Sequence, residues 1–310
     1  MANIRITHQT TYRHGGPATA AWQMLQLQPR QEAAQECLDF QLELTPAAPD
    51  LESRTDFFGN TRHFFSVREP HRELTITSRA TVRRREESLH LPGITQPLAA
   101  ARSHVTVLIR DRGQFELEQY LHATARVPLL AGARNLADGL DTTTLPMLDW
   151  IAQLGARFAH TFTFDPSATD VGTPLAELLQ TQRGVCQDFT HLFLSCVRQH
   201  GLPAAYVSGY LLTKPPPGQP RLRGADAMHA WASVFVPEVG WVDFDPTNNC
   251  FVGSSHIVVA RGRDYSDVSP TRGVFSGGGA HALRIGVTVE LEDEPAAAAG
   301  ATDQTRKDPS

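Results

Sequence analysis

The sequence predicts an α+β protein in which an all-β, sandwich- or barrel-like N-terminal domain precedes helices packed on an antiparallel sheet. Three observations carry this reading. From Ile4 to about Arg85, apolar and polar residues alternate in short runs broken by turn residues. A Pro-, Gly- and Ala-rich stretch follows, and beyond it three- and four-residue apolar spacing leads into further alternating runs.

In the first region, spanning 1–88, Ile4-Arg5-Ile6-Thr7 opens the alternation. Runs at 22–27, 38–44, 61–67 and 74–82 repeat it, with Pro46 to Pro49 and Phe58-Gly59-Asn60 as turns. Residues 89–104, with Leu91-Pro92-Gly93 and Gln96-Pro97, read as a linker. A core over 105–276 begins with helical spacing at 115–121 and at 145–158, the latter through Leu148, Ile151, Ala152 and Leu154. Thr173-Pro174 marks a helix start that continues through Leu178 and Leu179. The clearest helix starts at Cys186. Phe189, Leu192, Phe193, Cys196 and Val197 form one apolar stripe, and Gly201 with Pro203 ends it. Strands are expected at 204–212, 228–236 and 241–244, with a Pro-rich loop from Lys214 to Pro220 after the first. A strand over 283–291, within a C-terminal segment 277–292, follows Gly277-Gly278-Gly279, and 293–310 read as a disordered tail.

Composition narrows the function. Lys plus Arg number 28 and Asp plus Glu 33, a formal charge of −5, so the basic field of a nucleic-acid binder is missing. No apolar run approaches the roughly 20 residues of a membrane helix, and the first thirty residues lack a signal-peptide pattern. Neither nucleic acid nor membrane is expected as a partner. The four cysteines, Cys37, Cys186, Cys196 and Cys250, are too sparse for a disulfide scaffold and show no C-x-x-C spacing, which fits free thiols in a reducing cytoplasm.

Cys186 differs from the other three by its position. It follows Arg183-Gly184-Val185 at the first turn of its helix, where unpaired N–H groups and the positive helix end favour a thiolate, the nucleophilic form. Gly184 permits close backbone approach, and the Cys186 N–H is a natural oxyanion donor. A nucleophilic Cys needs a base, and the base needs an orienting group. His229 opens a strand in which His229, Trp231, Ser233 and Phe235 share a face. Asp243 and Asp245 compete for the orienting role on the return strand. A plain turn at 237–240 centres at 238.5, so Asp245 comes nearer to level with His229 than Asp243 does, and needs an early tip or a bulge to be level. Taken singly, a strand His or an Asp before Pro is more often structural.

Five stretches resemble the bacterial transglutaminase-like cysteine proteins, a superfamily with a papain-like Cys-His-Asp arrangement. They are Gly184-Val185-Cys186-Gln187-Asp188-Phe189, Val207 to Leu211, Met228-His229-Ala230-Trp231-Ala232, Gly240 to Asn248, and Gly262 to Pro270. The resemblance covers about 170–275, and the alternating N-terminal region is similar to the β domain that precedes the core in this subgroup. It implies Cys186 as nucleophile, His229 as base and Asp245 as orienting acid. Trp231 and Tyr210 are expected to bind substrate, and Trp241 could line a tunnel. Asp188 and His191 are expected on the polar side of the nucleophile helix, with Asp188 holding a neighbouring loop. Gln180 stands where papain-like enzymes place an oxyanion Gln, while Asp264, Tyr265 and Asp267 match a family loop. The animal members use calcium, but no acidic EF-hand-like loop occurs here, so no metal and no cofactor are expected. The implied activity is cysteine-dependent cleavage of a peptide or isopeptide amide in a protein or peptide substrate. Transfer of the acyl group to an amine, or a binding module without turnover, are the alternatives. Only Lys214 and Lys307 are available as lysine acceptors, so self-cross-linking would be poorly supplied.

Overall fold

The computed structural model describes residues 3–85, 95–213, 224, 226–237 and 239–292. Leu91-Pro92-Gly93, the loop from Lys214 to Pro220, Glu238 of the expected turn and the expected tail lie outside the described residues.

The alternating runs at Ile4 and Trp22 are one strand, β1 (Asn3–Leu25). It bends at Gly15-Gly16-Pro17, where pairing with the neighbouring strand breaks between Arg13 and Ala18 and the two glycine N–H groups bond Ala280 and Gly278 instead. After it come β2 (Gln35–Thr45), β3 (Glu52–Thr55), β4 (Thr61–Val67) and β5 (His71–Arg84). The first half of β1 pairs with β5 and the second half with β4, while β2 lies beyond β5 and β3 beyond β4.

The helical region comprises α1 (Leu98–Asp111), a 3-10 turn at Phe115–Tyr120, α2 (Ala131–Asn135) and α3 (Met147–Thr161). Next come β6 (Thr163–Phe164), α4 (Leu175–Thr181), β7 (Arg183–Gly184), parallel to β6, and α5 (Cys186–Gln199). α1 starts inside the expected linker, because its Ala-rich run favours helix and Leu98, Ala101, Val105 and Leu108 give it an apolar stripe to bury. α5 is the centre of the core. The expected polar side is absent, since every residue from Asp188 to Arg198 is buried.

Strands β8 (Ala204–Leu211), β9 (Met228–Val236), β10 (Gly240–Asp245), β11 (Cys250–Phe251) and β12 (His256–Gly262) form an antiparallel sheet in the order β11-β10-β9-β8-β12. One face, through Ala230, Ala232, Val234 and Phe244, shares a core with Leu192, Phe193 and Val197 of α5. The chain closes with α6 (Tyr265–Val268), β13 (Thr271–Gly277) and β14 (His281–Leu291). All of β13 but Gly277 falls within the expected 105–276 core, yet its hydrogen bonds go to β1, and β14 pairs with β1 from Ile4 to His14. The seven-stranded sheet is therefore built from both ends of the chain.

Two carboxamides join that sheet to the exposed edge of β12, as if they were a neighbouring strand. Gln35 bonds the N–H and C=O of Val258, each at 2.8 Å, and Asn60 bonds the N–H and C=O of Arg261, each at 2.8 Å. An edge strand left open would have these groups unpaired.

Gly209 lets β8 approach β12. A Cβ there would lie 2.0 Å from the Ile257 carbonyl oxygen and 2.5 Å from the Trp231 ring. Gly209→Ala should therefore destabilise the fold by at least about 2 kcal/mol, read from urea unfolding. A loss within about 0.5 kcal/mol would contradict this packing.

Candidate active site

Cys186 is the first residue of α5. The Asp188 carboxylate accepts from the Val185 N–H at 2.9 Å, which fixes the helix start, and from Thr169 Oγ1 at 2.6 Å, which ties down the loop before α4. Gly184 is packed so closely that a Cβ there would meet that carboxylate and Leu178. The Cys186 side chain is partly exposed, unlike Cys196, which lies in the core with its thiol pushed up to about 12 by burial. Burial likewise pushes the Cys37 thiol up to about 11, and burial together with the Asp245 charge raises that of Cys250.

His229 is the second residue of β9 and Asp245 the last of β10. The hairpin register, with Val236 opposite Gly240 and Ala232 opposite Phe244, centres at 238. Continued along the strand it sets Asp245 opposite Trp231, two residues from His229. No bulge makes up the difference. The Asp245 side chain crosses the diagonal on a shared face, a reach that antiparallel pairs allow, and its Oδ2 lies 2.6 Å from His229 Nε2. Asp243, opposite Ser233, is occupied elsewhere: Arg261 donates to both of its oxygens at 2.9 and 3.0 Å, and Trp231 Nε1 donates at 3.0 Å. Arg261 in turn grips Glu32 of the N-terminal layer.

Burial opposes the charge on His229. Hydrogen bonds to Asp245 and Cys186, with the charges of both, outweigh it and raise the imidazole to about 10. Burial also opposes the charge on Asp245, but hydrogen bonds from His229, His256 and Asn248 hold its carboxyl far below the usual range. The three candidates thus meet: His229 bonds Asp245 at 2.6 Å and lies near enough to Cys186 to feel its charge.

The side chains expected against substrate lie elsewhere. Trp231 is fully buried, clustered with Val207, Val252 and Val258 and bonded to Asp243. Tyr210 is fully buried, its hydroxyl 2.9 Å from His8 Nδ1 of β1. They lie on opposite faces of the sheet, since Trp231 pairs with Val207 of β8 and Tyr210 with Met228 of β9, and each face is closed by packing. Trp241 is 39% exposed against Tyr120 at the opposite end of the hairpin from Asp245. His191 is buried, kept neutral by desolvation, and accepts from the Tyr265 N–H. Asp264 caps α6, Tyr265 receives the Arg126 guanidinium on its ring, and Asp267 pairs with Arg263. Gln180 is exposed on α4.

Two further residues reach Asp245. Asn248, within the family-like Asp245-Pro246-Thr247-Asn248 stretch, donates Nδ2 to Oδ2 at 2.7 Å. His256, on β12, places Nε2 3.1 Å from the same oxygen. Eight residues beyond that stretch, His256 has no sequence signal connecting it with Asp245. Among the described residues, His229, Asp245 and His256 also form the set close enough to hold a metal ion. Their mutual hydrogen bonds satisfy them without one.

Residues 4–83 match the bacterial transglutaminase-like N-terminal region and residues 134–246 the transglutaminase-like superfamily. Uncharacterized proteins Mb2599c of Mycobacterium bovis and Rv2569c of Mycobacterium tuberculosis are each 37% identical, covering 87% of this chain and 87% of their own. A Protein-glutamine gamma-glutamyltransferase of Pseudomonas aeruginosa is 33% identical over 119 residues, 37% of this chain and 18% of that protein. A Cytophaga hutchinsonii structure provisionally described as a cysteine protease shares the fold, with a TM-score of 0.72, 16% identity and coverage of 98% of this chain and 95% of that one. The chain belongs to the bacterial transglutaminase-like proteins, a family of cysteine-dependent enzymes.

The raised imidazole has a consequence for stability. Because His229 titrates higher in the folded state, its contribution is complete below its ordinary 6.5 and is lost as pH rises to about 10. The unfolding free energy should therefore fall between pH 7 and 10 in the native protein, and fall less in His229→Gln. Equal slopes in urea titrations would refute this.

Proposed function

We propose that the protein cleaves an amide bond, peptide or isopeptide, through an acyl-thioester on Cys186, with His229 as acid and base and Asp245 orienting it. The observation that carries this reading is the 2.6 Å contact between His229 and Asp245, on an imidazole that also feels the charge of Cys186 at the start of α5. With Nε2 committed to Asp245, Nδ1 is the nitrogen left for sulfur. An imidazolium beside Cys186 at a helix N-terminus favours the thiolate.

The thiolate attacks the carbonyl carbon. The resulting oxyanion lies where the Cys186 N–H, which has no carbonyl partner within α5, can donate. As the C–N bond breaks, His229 gives its proton to the leaving nitrogen. Neutral His229 then takes a proton from water, hydroxide adds to the thioester, the C–S bond breaks and the thiolate returns. Substrate is a protein or peptide amide. No described helix is long and apolar enough to cross a membrane, and the reaction is assigned to the cytoplasm, where the thiol stays reduced.

Acyl transfer is the second reading, favoured by the stretch shared with the Pseudomonas aeruginosa glutamyltransferase. The same thioester would then be resolved by an amine. Glutamine-containing peptides incubated with a labelled amine should yield free acid in excess, and incorporation of the amine outrunning hydrolysis would overturn cleavage. Cys186→Ala should abolish turnover, and an unchanged rate would leave a binding module. Asp245→Asn should lower kcat by roughly 100-fold or more. It should also move the alkaline limb of kcat/KM down from near pH 10, because His229 loses the partner that keeps it protonated.

A further inference from the structure

Asp245 Oδ2 receives three side-chain donors rather than one. His229 Nε2 stands at 2.6 Å, Asn248 Nδ2 at 2.7 Å and His256 Nε2 at 3.1 Å, while Oδ1 accepts from the Thr247 and Asn248 N–H groups at 2.9 and 3.1 Å. Five donors fill a carboxylate that has about four lone-pair sites. The Asp245 side chain has no exposure, and that of His256 only 4%. Four of the five donors come from Asp245's own hairpin and the turn that follows it. His256 comes from β12, three strands away from β10 in the sheet.

We propose that His256 is a positioning residue for the reaction, holding the Asp245 carboxylate so that Oδ2 stays aimed at His229. This rests on the cleavage reading above. Asp245 is ionised and can only accept, so His256 must present Nε2–H, and its Nδ1 is free to accept from Ser255 Oγ, 3.3 Å away. The Trp231 ring meets the His256 ring edge-on at 5.2 Å and limits its rotation. The strand that carries His256 is itself fixed, by Gln35 on Val258 and Asn60 on Arg261. Without this donor the carboxylate is free to turn about its Cβ–Cγ bond toward Asn248 and the 247–248 backbone. Its hold on the imidazolium then weakens, and with it the Cys186 thiolate. The titratable groups around the pair are His229, Cys186 and Cys250, the last opposite Asp245 on β11.

The test needs no substrate. Iodoacetamide labelling is followed at Cys186 and Cys250 separately, by peptide mass, from pH 5 to 9. In the native protein Cys186 should label far faster than Cys250 at neutral pH. Equal rates would overturn the cleavage reading itself, a result distinct from failure of the present inference. His256→Phe keeps a ring against Trp231 but donates nothing. It should slow Cys186 at pH 7 by about tenfold and move its labelling midpoint about one pH unit higher, with Cys250 unchanged. His256→Gln restores an N–H donor and should recover most of the rate. Native-like labelling in His256→Phe would overturn the proposal. So would a His256→Gln variant that folds, by circular dichroism, but is as slow as a folded His256→Phe.

Discussion

A carboxylate without any exposure to solvent must be neutralised or surrounded by donors, because burying an ion otherwise costs several kcal/mol. Asp245 is that group, and much of the five-stranded sheet can be understood as its surroundings. β10 ends at it, the 246–249 turn folds two N–H groups and Asn248 back onto it, β9 supplies His229, and β12 supplies His256. The charge cannot leave without leaving these donors unpaired. The same donors keep it ionised, and an ionised Asp245 holds His229 in its cationic form.

The N-terminal layer is part of this arrangement, since β12 has a strand partner on one side only. Its other edge is bonded by Gln35 and Asn60, while Arg261 links Glu32 to Asp243 beneath the hairpin. Asp243 thereby closes a buried ion pair between the layers and Asp245 serves the imidazole. Two carboxylates two residues apart on one strand face are separated in role by the cation each one meets. Pairing of β13 and β14 with β1 ties the end of the chain to its beginning, so the layer that steadies β12 depends on both termini of the described fold.

Much of this was legible in the chain. Alternation located most strands of both sheets, though not β3, β11, β12 or β13, and the 189–197 stripe located α5, because both signals are local consequences of one buried face. Cys186, His229 and Asp245 were legible through helix position, strand phase and the family-like stretches. The continuity of β1 through Gly15-Gly16-Pro17 was hidden, since those residues ordinarily mark a turn and here mark a bend whose hydrogen bonds go to distant Gly278 and Ala280. Trp231 and Tyr210 carried no sign of which neighbour they would meet. Their strand phases set opposite faces, and distant residues closed both: His8 of β1 reached Tyr210, and Val252, Val258 and Asp243 enclosed Trp231.

By itself, then, the sequence determined the periodic elements, the placement of Cys186 at a helix start and the candidacy of one His and two Asp on a hairpin. Only the tertiary structure gave Asp243 to Arg261 and Asp245 to His229, buried α5 on all sides, joined β13 and β14 to β1 and brought His256 to the carboxylate. The reason is physical. Periodicity and capping act between residues a few positions apart, whereas the choice of a carboxylate's partner is made by which distant cation or donor the packing brings within hydrogen-bonding distance.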